Sequence, residues 1–188
     1  MKKIIAISIL AIVVSTSAKA QENPLRIGLK IGVPNVVGLN LEYVTPIMNG
    51  KFAPTIDFSF IPITIEDVDL KFTYFEIGTN IYFKKPGKGL YGHISYGRIG
   101  FDGTYVDAEK GEGQGQASFN LANFKIGAKL GNSFYFRTEI GYGLIFGDTS
   151  VDVEYKEPNS SVITVEAQEI PGIISGGFVV NLGFGVAF

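Results

Sequence analysis

The last eleven residues of the chain alternate without a break. Phe178, Val180, Leu182, Phe184, Val186 and Phe188 are bulky and apolar; Val179, Asn181, Gly183, Gly185 and Ala187 between them are smaller or polar. Side chains of a strand point to opposite faces with period two, so one face here is uniformly apolar. Residues 134–146 repeat the pattern. Phe134, Phe136, Ile140, Tyr142, Leu144 and Phe146 share a face interrupted only by Thr138, and Tyr135, Arg137, Glu139, Gly141 and Gly143 take the other. A one-residue slip would exchange the two sets, so the register is strongly fixed.

Six further segments read the same way. Residues 25–33 set Leu25, Ile27, Leu29, Ile31 and Val33 against Arg26, Gly28, Lys30 and Gly32, and residues 37–43 set Val37, Leu39, Leu41 and Tyr43 against Gly38, Asn40 and Glu42. Residues 52–60 oppose Ile56, Phe58 and Phe60 to Thr55, Asp57 and Ser59, with Pro54 near the strand start, where a missing N–H is tolerated. Residues 119–130 oppose Phe124, Ile126, Ala128 and Leu130 to Lys125, Gly127 and Lys129. In residues 70–83 the apolar set shifts between Tyr74 and Phe75, which predicts a β-bulge. In residues 90–101 the faces are ambiguous around Arg98. The count is about eight strands, and most approach the roughly 9–11 residues needed to cross a membrane. An apolar face outward and a small or polar face inward is what a barrel in lipid requires. The fold class is therefore all-β: a closed antiparallel up-and-down transmembrane β-barrel. On this reading Ile140→Arg impairs assembly, and Gly141→Ser is the milder change.

The start of the chain differs. Lys2 and Lys3 precede an apolar run from Ile4 to Val14, and Ala18-Lys19-Ala20 supplies the small-x-small pattern of a cleavage site. This is the order of a secretory signal peptide, too short to span as a helix of roughly 20 residues. Two segments follow: residues 1–20 as a signal peptide cleaved near Ala20, and residues 21–188 as one barrel domain. Removing Lys2, Lys3 and Lys19 from 16 basic residues leaves 13 against 18 acidic ones. Net charge −5 argues against nucleic acid as a partner, since phosphate binding needs a basic face. There is no cysteine and one histidine, which removes disulfides, thiolate metal sites and multi-histidine centres, and no cofactor is expected. With 24 Gly, 15 Phe and 9 Tyr, the mean hydropathy of +0.24 is high for a chain without a long apolar run after Ala20.

The connections divide by length. Residues 45–51, 84–89 and 131–133 read as short turns, and 61–69, 102–116 and 147–171 as long loops; the connection at Pro34-Asn35-Val36 is short although it falls on the long-loop side. Glu66, Asp67, Asp69, Asp102, Asp107, Glu109, Glu112, Asp148, Asp152, Glu154, Glu157, Glu166 and Glu169 all lie in the long loops. Those loops are expected outside the cell, where they meet an unidentified extracellular partner. The run Gly111-Glu112-Gly113-Gln114-Gly115 is acidic and precedes no helix, so it reads as a flexible loop and not as a phosphate cradle. Residues 151–155 and 162–166 alternate around Pro158-Asn159-Ser160 and predict a projecting two-stranded ribbon.

Asn181, Gly183, Val186 and Phe188 form polar-x-Gly-x-x-apolar-x-aromatic at the end of the chain. This resembles the β-signal through which bacterial barrel proteins are recognised by the assembly machinery, by strand addition. With the alternation, it makes the chain similar to small bacterial outer-membrane barrels of the OmpA transmembrane-domain and OmpX kind, grouped as the outer membrane protein beta-barrel domain family. The resemblance implies outer-membrane lipid and the barrel assembly machinery as partners. The absence of Trp departs from the usual girdles; Tyr43, Phe52, Phe83, Phe134 and Phe188 are the candidates on the short-turn side, and Phe60, Phe72, Tyr105, Phe119 and Phe146 on the loop side.

Arg26, Lys30, Glu42, Asp57, Glu76, Lys125, Lys129, Arg137 and Glu139 are expected to point inward as a lumen charge network. About eight strands enclose an interior that side chains can fill, so the first reading is a plugged barrel with a structural or surface-interaction role. A narrow channel is the second. The third rests on His93-Ile94-Ser95, which puts an imidazole and a hydroxyl on one strand face, where a histidine can activate a serine. That pair resembles the lipid A 3-O-deacylase family and would make Ser95 the nucleophile and His93 the base, although Tyr96-Gly97 departs from the family's continuation. A soluble periplasmic barrel with its apolar face inward is the rival at the level of fold.

Overall fold

The computed structural model describes residues 23–65, 68–107, 111–146, 150–156, 163–169 and 177–188. The signal-peptide reading of residues 1–20 and the turn at residues 158–160 lie outside them. Ten strands follow in order: β1 (Leu25–Val33), β2 (Val36–Tyr43), β3 (Phe52–Ile65), β4 (Val68–Tyr82), β5 (Gly89–Asp107), β6 (Gly111–Gly131), β7 (Phe134–Phe146), β8 (Ser150–Lys156), β9 (Ile163–Glu169) and β10 (Phe178–Ala187).

From β1 to β7 each strand pairs antiparallel with the next, β7 pairs with β10, and β10 closes on β1. Eight strands thus form a closed up-and-down barrel, and closure leaves no edge within the ring. The seam ends with Phe188 N–H donating to the Leu25 carbonyl and Leu25 N–H to the Phe188 carbonyl. Following inward residues once around from Leu121 passes Gly97, Glu76, Asp57, Asn40, Gly28, Gly185 and Tyr135, and returns to β6 at Gly131, ten positions from the start. A stagger of that size tilts the strands by roughly 35–45°.

The wall is uneven. The β1–β2 hairpin turns at Pro34-Asn35, whereas β5 and β6 stay paired to Asp107 and Gly111. Residues 61–65, 68–69, 102–107 and 111–116, expected as loops, are strand. Their prolines, glycines and acidic residues look like turn punctuation, but the ladders continue through them, Ile61 facing Phe72 and Gly103 facing Gly115. The glycine-rich run 111–115 is likewise paired on both sides, with β5 and with β8. The ribbon expected near 151–166 is present as β8 and β9; β8 pairs with β6 above the end of β7 and so extends the tall side of the wall.

Inside and outside are inverted relative to a water-soluble domain. Among the described residues, nineteen polar or charged side chains are buried against twelve apolar ones, while Leu39, Ile126, Ile140 and Phe184 on the outside are each more than half exposed. Such an exterior would be costly in water at about 25 cal/mol per Å², and it suits lipid. The rival arrangement, with the apolar face inward, is excluded by these positions.

Three expectations need correction. No bulge interrupts β4: its registers with β3 and β5 run without a skipped residue through Tyr74 and Phe75. The apolar set shifts because Phe72 and Tyr74 point into the lumen and Phe75 and Ile77 point out. For the same reason Phe72 and Phe119 are not girdle residues; both are buried inside. The ambiguity around Arg98 resolves with Tyr96 and Arg98 outward and Ile99 inward.

Candidate functional site: the lumen

Every inward-facing charge expected from the sequence is buried, and each lies in one connected network. Its centre is Glu42 on β2, whose carboxylate accepts from five donors. Oε1 takes Arg26 Nη1 at 3.0 Å and the Tyr82 hydroxyl at 2.8 Å; Oε2 takes Asn80 Nδ2 at 2.8 Å, Lys129 Nζ at 2.5 Å and Arg137 Nη2 at 3.2 Å. Glu76 on β4 accepts from Lys125 Nζ at 2.5 Å, Asn123 Nδ2 at 2.7 Å and the Tyr74 hydroxyl.

Lysines tie the clusters together. Lys30 Nζ lies 2.7 Å from Asp57 Oδ2 and 3.1 Å from Glu139 Oε2, and Lys125 spans Glu76 and Glu139. Asn181 Nδ2 donates to Glu139 at 3.2 Å, and the Tyr91 hydroxyl donates to the same carboxylate at 2.7 Å. All eight ring strands contribute at least one member. An ion removed from water costs several kcal/mol unless its partners replace the lost solvation, and multiple donors per carboxylate are how this lumen meets that demand.

Inward glycines make room for these side chains. A Cβ on Gly127 would lie 2.6 Å from the Tyr91 hydroxyl oxygen, and one on Gly183 would lie 2.9 Å from Arg137 Cγ. Gly127→Val should therefore push Tyr91 off Glu139 and lower stability by about 1–3 kcal/mol. A shift in the urea midpoint of the micelle-bound protein measures it; an unchanged midpoint would place Tyr91 elsewhere.

Toward the tall side the lumen becomes apolar. Phe72, Tyr74, Ile99, Phe119 and Leu121 pack as a buried layer, flanked by Ile61, Phe101, Ala117 and Ile145. The Phe72 and Phe101 rings meet with centroids 5.3 Å apart. Polar partners also escaped the sequence reading: Asn80, Tyr82, Tyr91 and Asn123. The signal for them was present, because carrying the inward parity of Glu76 along β4 reaches Phe72, Tyr74, Asn80 and Tyr82.

His93 and Ser95 share the inward face of β5, both buried, but they are not joined. His93 Nδ1 is 2.7 Å from Asn80 Oδ1 and Nε2 is 2.9 Å from Glu76 Oε1, so both ring nitrogens are engaged. Ser95 Oγ has no hydrogen-bond partner among the described residues. In the terminal motif, Asn181 and Gly183 face the lumen while Val186 and Phe188 face out. Among the described residues no cluster of three metal-ligating side chains occurs.

No family model matches the sequence, and neither does any curated protein. Solved structures do match in fold. A major outer membrane protein from Thermus thermophilus superposes with TM-score 0.56 at 11% identity, covering 89% of this chain and 100% of that one. Acinetobacter baumannii CarO gives 0.47 at 12% identity over 90% and 100% of the two chains, and the N-terminal β-barrel domain of Pseudomonas aeruginosa OprF gives 0.42 at 14% over 87% and 95%. Geometry and comparison agree on the architecture: the chain is a closed eight-stranded antiparallel up-and-down β-barrel, the fold of a solved outer-membrane protein.

Proposed function

We propose that this protein is an outer-membrane barrel with a plugged lumen, whose role is structural or lies in surface interaction through the tall side of its wall. The observation that supports it most is the lumen itself. Nine buried charges from six strands, joined by Tyr91 and His93 of β5 and Asn181 of β10, share the lumen with an apolar layer on its tall side, and both support a plugged interior. The apolar exterior supports residence in lipid, and the terminal Asn181, Gly183, Val186 and Phe188 support delivery by the barrel assembly machinery after cleavage near Ala20. The extracellular partner is unidentified, and nucleic acid remains a poor candidate on charge.

The test has two parts. Protein from isolated outer membranes should migrate differently before and after boiling, as a detergent-resistant closed barrel does. Reconstituted in planar bilayers, it should show no discrete conductance steps. Recovery from the soluble periplasm with no mobility shift would overturn the membrane reading.

A narrow channel is the second reading, and one observation favours it. Thr55 Oγ1, Ser59 Oγ, Asn40 Oδ1 and Asn181 Oδ1 are buried without hydrogen-bond partners among the described residues, which is where ordered water sits in protein interiors. Reproducible small conductance steps would decide for it. The lipid A deacylase alternative through His93 and Ser95 has the weakest support, because no hydrogen bond joins the two side chains; loss of a lipid A modification in cells carrying Ser95→Ala would revive it.

A further inference from the structure

On the tall side, the outward side chains of β3 to β6 form successive rungs across the wall. The rung Phe58, Phe75, Arg98, Asn120 carries the change from apolar to polar. Above it come Phe60, Thr73, Gly100, Ser118, then Pro62, Lys71, Asp102, Gln116, then Thr64, Asp69, Thr104, Gln114.

Arg98 is the first charge above the band on β5, following Ile94 and Tyr96 on the same face. Its Nη2 donates to Ser118 Oγ at 3.0 Å, and among the described residues it has no acidic partner. Gly100 puts no side chain over it; even a Cβ there would approach only Thr73, at 3.9 Å.

Between the two uppermost rungs runs a furrow of about 580 Å³, based on Leu70, Gly103 and Gly115 and flanked by Asp69, Lys71, Asp102, Thr104 and Gln116. Its volume falls within the roughly 300–1,000 Å³ of small-molecule sites. Hydroxyls, amides and carboxylates supply both donors and acceptors, and the Thr64 hydroxyl donates to Asp69 Oδ1 at 2.6 Å, orienting that carboxylate. Among the described residues no aromatic side chain lines it.

We propose that this face binds the phosphorylated saccharide headgroup of an outer-leaflet glycolipid, phosphate on Arg98 and sugar hydroxyls in the furrow. The inference rests on the membrane reading above. The furrow lies between side chains that point outward from the wall, where a molecule beside the barrel can reach it. Arg98 and Asp102 are four residues apart, roughly 13 Å along the strand at about 3.3 Å per residue. A glycolipid offers a phosphate at the lipid surface and polyhydroxylated rings above it to one lateral neighbour. A phospholipid such as phosphatidylglycerol offers the phosphate and a small headgroup, with no saccharide ring to fill the furrow.

The experiment is native mass spectrometry of the refolded, delipidated barrel titrated with rough lipopolysaccharide bearing core sugars, with lipid A and with phosphatidylglycerol. The expected order of affinity is core-bearing lipopolysaccharide, then lipid A, then phosphatidylglycerol. Arg98→Gln should weaken both glycolipids by about ten-fold, the loss of one charge-assisted contact. Thr104→Trp, which fills the furrow from an exposed strand position, should bring core-bearing lipopolysaccharide down to the level of lipid A and leave lipid A unchanged. Asp102→Leu should act in the same direction as Thr104→Trp and guards against a misfolded variant. Equal binding of the three lipids, or binding indifferent to these substitutions, would overturn the proposal. A barrel that fails to insert and to shift on boiling would instead sink the membrane reading beneath it.

Discussion

Ile140→Arg should leave most of the protein unable to reach its folded form in vesicles, at a cost of about 2–4 kcal/mol for an arginine near the midplane. Ile140 lies midway along β7, faces outward, and stands in register between Ile126 and Val180. Apart from the hydroxyls of Thr138 and Tyr142 on its own strand, its outward neighbours are apolar, so the guanidinium has no charged partner and must snorkel or thin the bilayer. Ser118→Arg is the matched control. It also faces outward, but two rungs above Ala122 on β6, where Asn120, Gln116 and Gln114 are already polar; its expected cost is near zero. The fraction that migrates as folded on an unheated gel, followed by urea titration in vesicles, measures both. Equal penalties at the two positions would mean that the exterior does not contact lipid.

That contrast replaces the milder partner expected from sequence. Gly141 looks like a roomy inward position, yet a Cβ there would lie 2.7 Å from Lys125 Cα and 2.9 Å from Lys125 Cγ. Alternation tells which face a residue takes and says nothing of how near the next strand's main chain passes. The same limit explains the other errors. The period-two pattern was legible wherever one face was wholly apolar, as in β7 and β10. It failed in β4, where Phe72 and Tyr74 are apolar for the opposite reason, filling the lumen against Ile99 and Phe119. A bulge was the economical reading of a strand with grease on both sides; only the ladder could decide against it. Height was illegible too. Pro62, Gly103, Gly115 and their acidic neighbours carry the composition of loops, and four ladders among β3, β4, β5, β6 and β8 keep them extended. The nine network charges could be placed inside from parity alone, but not their partners. Glu42 meets Lys129 across 87 positions of sequence, a contact set by the stagger of the ring and not by any local signal.

Glu42→Gln should be the most damaging single change in the lumen. Five donors converge on this carboxylate, three of them the cations Arg26, Lys129 and Arg137. The amide keeps one acceptor oxygen and presents an NH₂ to groups of which only the Tyr82 hydroxyl can accept. Removing one partner of a buried pair costs about 3–5 kcal/mol, because the remaining charge stays buried and uncompensated. Here three cations lose their shared anion, though Arg137 retains Glu139 at 3.7 Å and Arg26 retains the Gly87 carbonyl. Among the described residues Lys129 keeps only the faces of Tyr82, Tyr91 and Tyr135, with its Nζ 4.8 Å from the Tyr135 centroid. The damage should therefore concentrate on Lys129, and Glu42→Gln with Lys129→Met should recover part of the loss. Urea unfolding of the two single variants and the double variant closes the cycle. A coupling well above 1 kcal/mol is the expected result. Additive effects would mean that Lys129 and Glu42 do not depend on each other, and that the network is a set of separate pairs instead of one structure spanning the ring.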